Sequence, residues 1–299
     1  MTPQPMKVCL IVNPNAGKKK GLEVAARVSR LLGDAGLDCT SFVSEHPGGT
    51  REIAESVVPS DWDGIVVVGG DGTLFEVVNG LLAHAESVPV PLGLIPVGTG
   101  NSFIKDLGIE SVDDAVGRIV ARRTRRVDLG RFTSEAGTFW FANLLGAGFV
   151  SNVAYRARKY KVFGALSYVF AVLEEVVGLK TTAVKLEVDG RTIECDALFV
   201  EICNSRFTGG DMMMAPAARI DDGELDVILV RRVNRRTVLK LLPKIFSGGH
   251  VESQSVEVIK GRSIRLTSDE PLALTPDGET FGLTPIEVSV HAAKLEMFG

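Results

Sequence analysis

The sequence predicts an α/β protein: an N-terminal parallel sheet with helices on both faces, followed by a mainly antiparallel β domain with two helices. Three observations carry this expectation. Through residues 1–126, short apolar runs alternate with segments of helical period, the pattern of parallel strands joined by crossover helices. From about Arg125, strand-like runs follow one another closely, and one pair turns through Asp189-Gly190. Three apolar runs of the first part open directly into glycine-containing loops. The boundary is therefore placed near Arg126, giving domains over residues 1–126 and 127–299.

In chain order, KVCLIVN is the first strand. GLEVAARVSRLLGDAG is a helix with Leu22, Ala25, Val28 and Leu32 on one face, ended by Gly33 or Gly36. GGTREIAESVV reads as a helix, GIVVVGG as a buried strand, TLFEVVNGLLAHA as a helix and PLGLIPVG as another strand. SVDDAVGRIVA is helical, with Ser111 as N-cap and Asp114 in its first turn. In the second part, AVKLEVDGRTIECDALFVEICN alternates through Asp189-Gly190, a two-residue turn suited to the positive φ angles of a tight hairpin. Further strands fall at ELDVILV, SIRLTS, PLALTPDGE and IEVSVH, and the two helices near residues 155–178 and 234–247.

A chain of 299 residues supplies two domains with ample apolar content, so it should fold without staples. Its 37 acids against 33 Lys and Arg leave a net charge of −4, which argues against an obligatory nucleic-acid partner. Cys9, Cys39, Cys195 and Cys203 lack paired metal spacing and read as buried thiols of a reducing compartment. The four histidines, His46, His84, His250 and His291, are scattered, which gives a zinc site or a triad no support. The N-terminal segment has no leader pattern, and YKVFGALSYVFAVLEEVVGLK is interrupted by Glu174 and Glu175, so a cytoplasmic protein is expected.

NPNAGKKKG follows Val12, GGDGT follows Val68 and PVGTGNS follows Ile95. In a parallel sheet all three gather at the carboxyl edge of the strands, where separate turns build one nucleotide-binding site. Each loop alone is an ordinary turn; their joint occurrence is the signal. Gly17-Lys18 lacks the upstream glycine and the following Ser or Thr of a P-loop, and Phe103 stands where a dinucleotide fingerprint needs a small residue. Asp71 is the puzzle. Beside phosphate, an acid requires a magnesium ion, a proton to move, or no phosphate at all.

These loops, followed in order by RRVDLG, NSRFTGGDMMMAPAARIDDGELDV and DGE, resemble the motifs of the diacylglycerol kinase catalytic family, which includes sphingosine and bacterial lipid kinases. The resemblance spans nearly the whole chain. It implies an ATP- and Mg2+-dependent lipid kinase that passes the γ-phosphate to a lipid alcohol, diacylglycerol first. ATP contacts are implied at Asn13, Pro14, Asn15, Ala16 and Gly17, at Ser44, at Gly69, Gly70, Asp71, Gly72, Thr73, Leu74 and Phe75, and at Thr99. Asp71 is implied beside the polyphosphate with magnesium, directly or through water, reversing the local sign of the interaction. Glu279 matches the family's general base, which relieves the acceptor hydroxyl of its proton. By local pattern alone, Asp277-Gly278 is a hairpin turn with Glu279 exposed beside it. RIDDGELD resembles a second, structural magnesium site, with Asp222 as side-chain ligand and the main-chain carbonyls of Arg219 and Glu224 as donors. An Asp-Gly turn opening a strand fits the same residues.

Phe75, Ser102 and Val150 depart from the commonest family residues, Asn, Asp and Asp. The alternatives are therefore a sphingoid-base kinase, a NAD kinase-type enzyme, or a catalytically silent nucleotide-binding regulator. A lipid acceptor implies transient peripheral membrane association. RARKYK before VFGALSYVFAVL, and the cluster ARRTRR, offer basic residues for it, though solvated charge runs flanking core segments fit equally. Edge strands of the second domain leave a homodimer open.

Overall fold

The computed structural model describes residues 5–98, 100–163 and 166–299. The chain divides into two compact units, the first running to Val127 and including Ala293–Gly299, the second Asp128–Ala292.

In the first unit the elements are β1 (Lys7–Val12), α1 (Ala16–Lys19), α2 (Gly21–Asp34), β2 (Asp38–Val43), α3 (Gly49–Ser56), β3 (Gly64–Gly69), α4 (Asp71–Leu81), β4 (Leu92–Pro96), α5 (Phe103–Leu107) and α6 (Val112–Val120). The strands lie in the order β2-β1-β3-β4, all parallel, with α2 against α6 and α3 against α4. β1 and β3 are buried almost throughout, which is why they read as unbroken apolar runs rather than alternating ones. β2 was not among the expected strands. It is an exposed edge, so its DCTSFV composition never had to be apolar.

Two local expectations need correction. Leu22 is 52% exposed, and the buried face of α2 runs through Gly21, Ala25, Val28 and Leu32. The helix starts pressed onto the preceding loop: a Cβ at residue 21 would stand 2.0 Å from the Asn13 carbonyl oxygen. Cys39, on the exposed edge strand, is only half-buried, as is Cys195, whereas Cys9 and Cys203 are buried. Burial pushes the Cys9 thiol up to about 12, so it is an inert core group. Ser111 caps α6 as expected, its side chain accepting the Asp114 N–H at 3.1 Å.

The second unit contains β5 (Thr124–Ser134, whose first residues belong to the first unit), β6 (Gly137–Phe141), β7 (Leu144–Gly148), α7 (Phe149–Ala157), α8 (Leu166–Val177), β8 (Thr182–Val188), β9 (Arg191–Cys203), β10 (Phe207–Thr208), β11 (Met212–Met213), β12 (Leu225–Arg231), α9 (Arg235–Ile245), β13 (Val256–Gly261), β14 (Ser263–Ser268), β15 (Leu274–Pro276) and β16 (Ile286–Phe298). The order β13-β12-β9-β8-β14-β16 is antiparallel throughout, with β7 on the second half of β9 and β15 on β7. Beyond Ala292 the chain has returned to the first unit, where Met297 pairs in parallel with Leu92.

Asp189 and Gly190 have φ of 46° and 85°, the positive pair that the hairpin turn demands. Asn234 caps α9 through the Thr237 N–H at 2.9 Å. The stretch expected as one helix near residues 155–178 is instead α7, a 3-10 turn over Arg158–Phe163, and α8; its residues 164 and 165 lie outside the described residues. α7 buries Phe149, Val153 and Ala157, α8 buries Ala171, Val172 and Val176, and the charged pair Arg158-Lys159 falls between these two apolar sets. The helices cover a core that includes Leu144, Phe199, Ile228, Val230 and Leu242.

Candidate active site

Three loops of the first unit stand at the carboxyl ends of β1, β3 and β4, laced to one another by backbone hydrogen bonds. Asn13 N–H donates to the Val68 carbonyl at 3.1 Å and Val97 N–H to the Gly69 carbonyl at 3.0 Å. Asn13 Nδ2 donates to Thr73 Oγ1 at 3.0 Å, tying the first loop to the central one. Ser44 is buried at the end of β2, its N–H on the Val12 carbonyl. The glycines serve this closure: Gly17 has φ of 57°, and a Cβ there would stand 1.9 Å from the Val97 carbonyl oxygen. Leu74 and Phe75 are 1% and 8% exposed, so their side chains belong to the core and only their backbone can meet a ligand. Thr99 lies outside the described residues.

Asp71 has a structural task in this arrangement. Its Oδ2 accepts the Ser102 N–H at 2.8 Å and its Oδ1 the Phe103 N–H at 3.2 Å, so the carboxylate caps the start of α5 and pins the third loop to the central one. Asn101 closes that loop on itself, accepting the Gly98 N–H at 3.0 Å and donating to the Gly98 carbonyl at 2.8 Å. The start of α4 is different. Its N-cap is Gly70, which brings no side-chain cap, an arrangement in which the N-terminus of an 11-residue helix suits an anion. Lys18, Lys19 and Lys20 are exposed beside the first loop.

In the second unit, the later sequence motifs meet in one buried polar network. Asp277 is buried with φ of 46°, and its carboxylate accepts three amides, Ala142 at 2.9 Å, Asn143 at 2.8 Å and Leu144 at 3.1 Å. Asn204 Nδ2 donates to the carbonyls of Asp128 and Ala142 at 2.9 and 2.7 Å, and Ser205 Oγ to Asn143 Oδ1 at 2.9 Å. The Glu279 N–H closes the turn on the Pro276 carbonyl at 2.8 Å, so Asp277 anchors the turn that presents Glu279. Glu279 itself is half exposed, with Oε2 held by Arg158 at 3.0 Å.

The same turn borders an apolar cavity that is partly open to solvent. Phe149, Val153, Val172, Phe199, Met212 and Leu242 are among its walls, and Gly278, the residue before Glu279, lines it too. An acid and a histidine interrupt these walls, Glu201 and His250, 3% and 2% exposed. Burial pushes the Glu201 carboxyl up to about 8 and the His250 imidazole down, so both are mainly uncharged at neutral pH. Glu201 Oε2 has no hydrogen-bond partner among the described residues, and the Met214 backbone approaches His250 without hydrogen-bond geometry.

Residues 7–132 match the diacylglycerol kinase catalytic domain, and residues 143–299 match the YegS C-terminal NAD kinase beta sandwich-like domain. A diacylglycerol kinase of Staphylococcus haemolyticus is 30% identical over 286 residues, 94% of this chain and 84% of the relative. The chain belongs to the diacylglycerol kinase family. By family it is a lipid kinase, and kinase chemistry implies use of ATP. A diacylglycerol kinase of Mycobacterium tuberculosis is 29% identical over 296 residues, 97% of this chain and 94% of the relative. The crystal structure of a candidate diacylglycerol kinase from Bacillus anthracis str. Sterne is similar with a TM-score of 0.79 at 27% identity, covering 98% of this chain and 96% of that one.

Within this diacylglycerol kinase fold, the residues expected at a second magnesium site have another cation among them. Lys260 Nζ stands 2.9 Å from Asp222 Oδ2, 3.5 Å from Asp226 Oδ2 and 3.9 Å from Glu224 Oε2. Asp222 Oδ1 accepts the Glu224 N–H at 3.1 Å, and the exposed Arg219 side chain leans on Asp221. Burial works to lower the Lys260 pKa, but Asp222 and Asp226 outweigh it and raise it, so the ammonium stays charged. Among the described residues no group of three or more His, Cys, Asp or Glu is arranged to hold a metal. Lys260 is thus the counter-ion of Asp222, while Oδ1 and Oδ2 of the buried Asp226 beside it have no hydrogen-bond partner among the described residues.

Sequence reasoning missed Lys260, Arg158 and Glu201. Glu201 left a signal, being an acid inside the apolar run LFVEIC. The basic run before α8 is largely neutralised at home: Arg156 pairs with Glu174 and Glu175, and Lys159 with Glu174. α8 instead exposes Leu166, Phe170, Leu173 and Val177, a stripe at helical spacing. Among the described residues, no helix is long and apolar enough to cross a membrane.

Proposed function

We propose that the chain transfers the γ-phosphate of magnesium-ATP to the free hydroxyl of an acylated alcohol, diacylglycerol, at a lipid surface. The observation that carries this reading is the apolar cavity with Gly278 in its wall, one residue from Glu279. A lipid tail satisfies such walls. A nucleotide acceptor such as NAD would bring polar groups that they leave unpaired, which disfavours the NAD kinase alternative.

For the donor, the uncapped start of α4, Asn13 and Lys18–Lys20 supply amides, a side-chain amide and positive charge to the phosphates. Magnesium would be held beside Asp71, a carboxylate at the start of α4, since magnesium prefers oxygen ligands. Bound there, it would neutralise charge on the phosphates. In the transfer, the acceptor oxygen bonds to the γ-phosphorus, the β–γ bridge breaks to release ADP, and Glu279 takes the hydroxyl proton. Arg158 steadies Glu279 through Oε2 and leaves Oε1 for that proton.

Ala154 lines the cavity, so Ala154→Trp is expected to lower transfer to diacylglycerol by about tenfold or more while magnesium-ATP binding by calorimetry stays unchanged. Undiminished transfer would place the acceptor elsewhere. The exposed stripe of α8 is the face assigned to the lipid surface. Leu173→Glu should weaken co-sedimentation with anionic vesicles, and equal sedimentation would remove α8 from the docking face.

A further inference from the structure

Glu201 is a buried acid that the transfer step does not use. It sits on β9 opposite Gly146 of β7 and Ile228 of β12, in strands that are otherwise apolar at this level. A Cβ built on Gly146 would stand 2.8 Å from Thr275 Oγ1 and 3.7 Å from Glu201 Oε1, so the carboxyl and the start of the Glu279 turn share one end of the cavity. The hydroxyl groups there are already engaged: Ser151 Oγ donates to the Gly146 carbonyl at 3.1 Å and exchanges a hydrogen bond with Thr275 Oγ1 at 3.1 Å. Glu201 Oε2 has no such partner among the described residues. A buried polar atom left unpaired costs stability, and a ligand able to pair with it recovers that cost.

The charge state narrows the ligand. Protonated, the carboxyl offers one O–H donor in an apolar wall. A diacylglycerol brings ester carbonyls, which are acceptors only, and they lie within a few bonds of the hydroxyl that Glu279 would serve. A dialkyl ether of the same length has the tails and the hydroxyl but no carbonyl.

We propose that Glu201 is a specificity-determining residue whose carboxyl donates a hydrogen bond to an ester carbonyl of the acceptor, selecting ester-linked glycerolipids over ether-linked ones. This rests on the acceptor reading above and adds to it a residue and a functional group.

The test compares kcat/KM for dioleoylglycerol, the matching dioleyl ether and sphingosine in mixed micelles, for wild type, Glu201→Met and Glu201→Gln, with melting curves alongside. Wild type should favour the ester over the ether by about tenfold or more, since a site built to hydrogen-bond a group rejects the analogue lacking it. Glu201→Met, similar in size, should bring that ratio to about one without losing the ether reaction, whereas Glu201→Gln, whose amide still donates, should keep the preference. Equal rates on ester and ether by wild type overturn the assignment, whether or not the variants fold. So does an ester preference that survives in Glu201→Met. No transfer to either glycerolipid overturns the acceptor reading itself.

Discussion

Replacing Glu279 by Gln is expected to lower kcat for diacylglycerol by about 10²–10⁴-fold, the range for losing a general base, while leaving the melting curve and magnesium-ATP affinity as they are. The side chain is half exposed and its ion pair to Arg158 is on the surface, so the fold loses little when its charge is removed. The turn that presents it is held by backbone atoms and Asp277, which the substitution does not touch. A kcat near that of wild type would remove Glu279 from the proton's path. A fall in kcat accompanied by a lowered melting temperature would mean that the turn itself had moved.

Asp277→Ala is expected to have the largest effect on stability, about 3 kcal/mol or more by urea or thermal unfolding, and to abolish transfer as well. One buried carboxylate accepts the amides of Ala142, Asn143 and Leu144, and its removal strands three N–H donors. Each unsatisfied buried donor costs roughly 1–3 kcal/mol. Asn204 and Ser205 bind the same 142–143 segment, so the loss spreads through a connected network instead of staying at one bond. Unchanged stability would show that the segment finds other acceptors. The contrast with Glu279 is the useful part. Two acids two residues apart should separate cleanly, one acting on rate alone and the other on the fold.

What the sequence revealed of the fold follows from which forces are local. Ser111 and Asn234 act within three residues of themselves, and the Asp189-Gly190 turn within two strands, so their signals survive in a short window. β1 and β3 announce themselves because burial on both faces makes them apolar end to end. β2 did not, because an exposed edge strand carries no apolar pattern. Nor did the split into α7 and α8, since both bury apolar residues on either side of a charged turn and together imitate one long amphipathic period.

The candidate site was legible as a set of loops but not as a set of contacts. That three glycine loops would stand at strand ends follows from parallel topology. That Asp71 would cap α5 does not, because its partners Ser102 and Phe103 lie about thirty residues away and depend on how two loops close. The acid in the central loop therefore holds the third loop in place, and the proposed magnesium role there would be a second use of the same group. Lys260 was invisible for the same reason: in EVIKGRS it is an ordinary surface lysine until β13 pairs with β12 and sets it among Asp222, Glu224 and Asp226. Glu201 alone was conspicuous in one dimension, as a charge in a strand with no room for one.

The most direct measurement of the central claim is transfer of labelled γ-phosphate from magnesium-ATP to diacylglycerol, monoacylglycerol, sphingosine, ceramide and NAD, each presented under the same micelle conditions. Label is expected on diacylglycerol, with sphingosine and NAD unlabelled. Label on NAD and none on any lipid, or magnesium-ATP binding with no acceptor labelled at all, would contradict it.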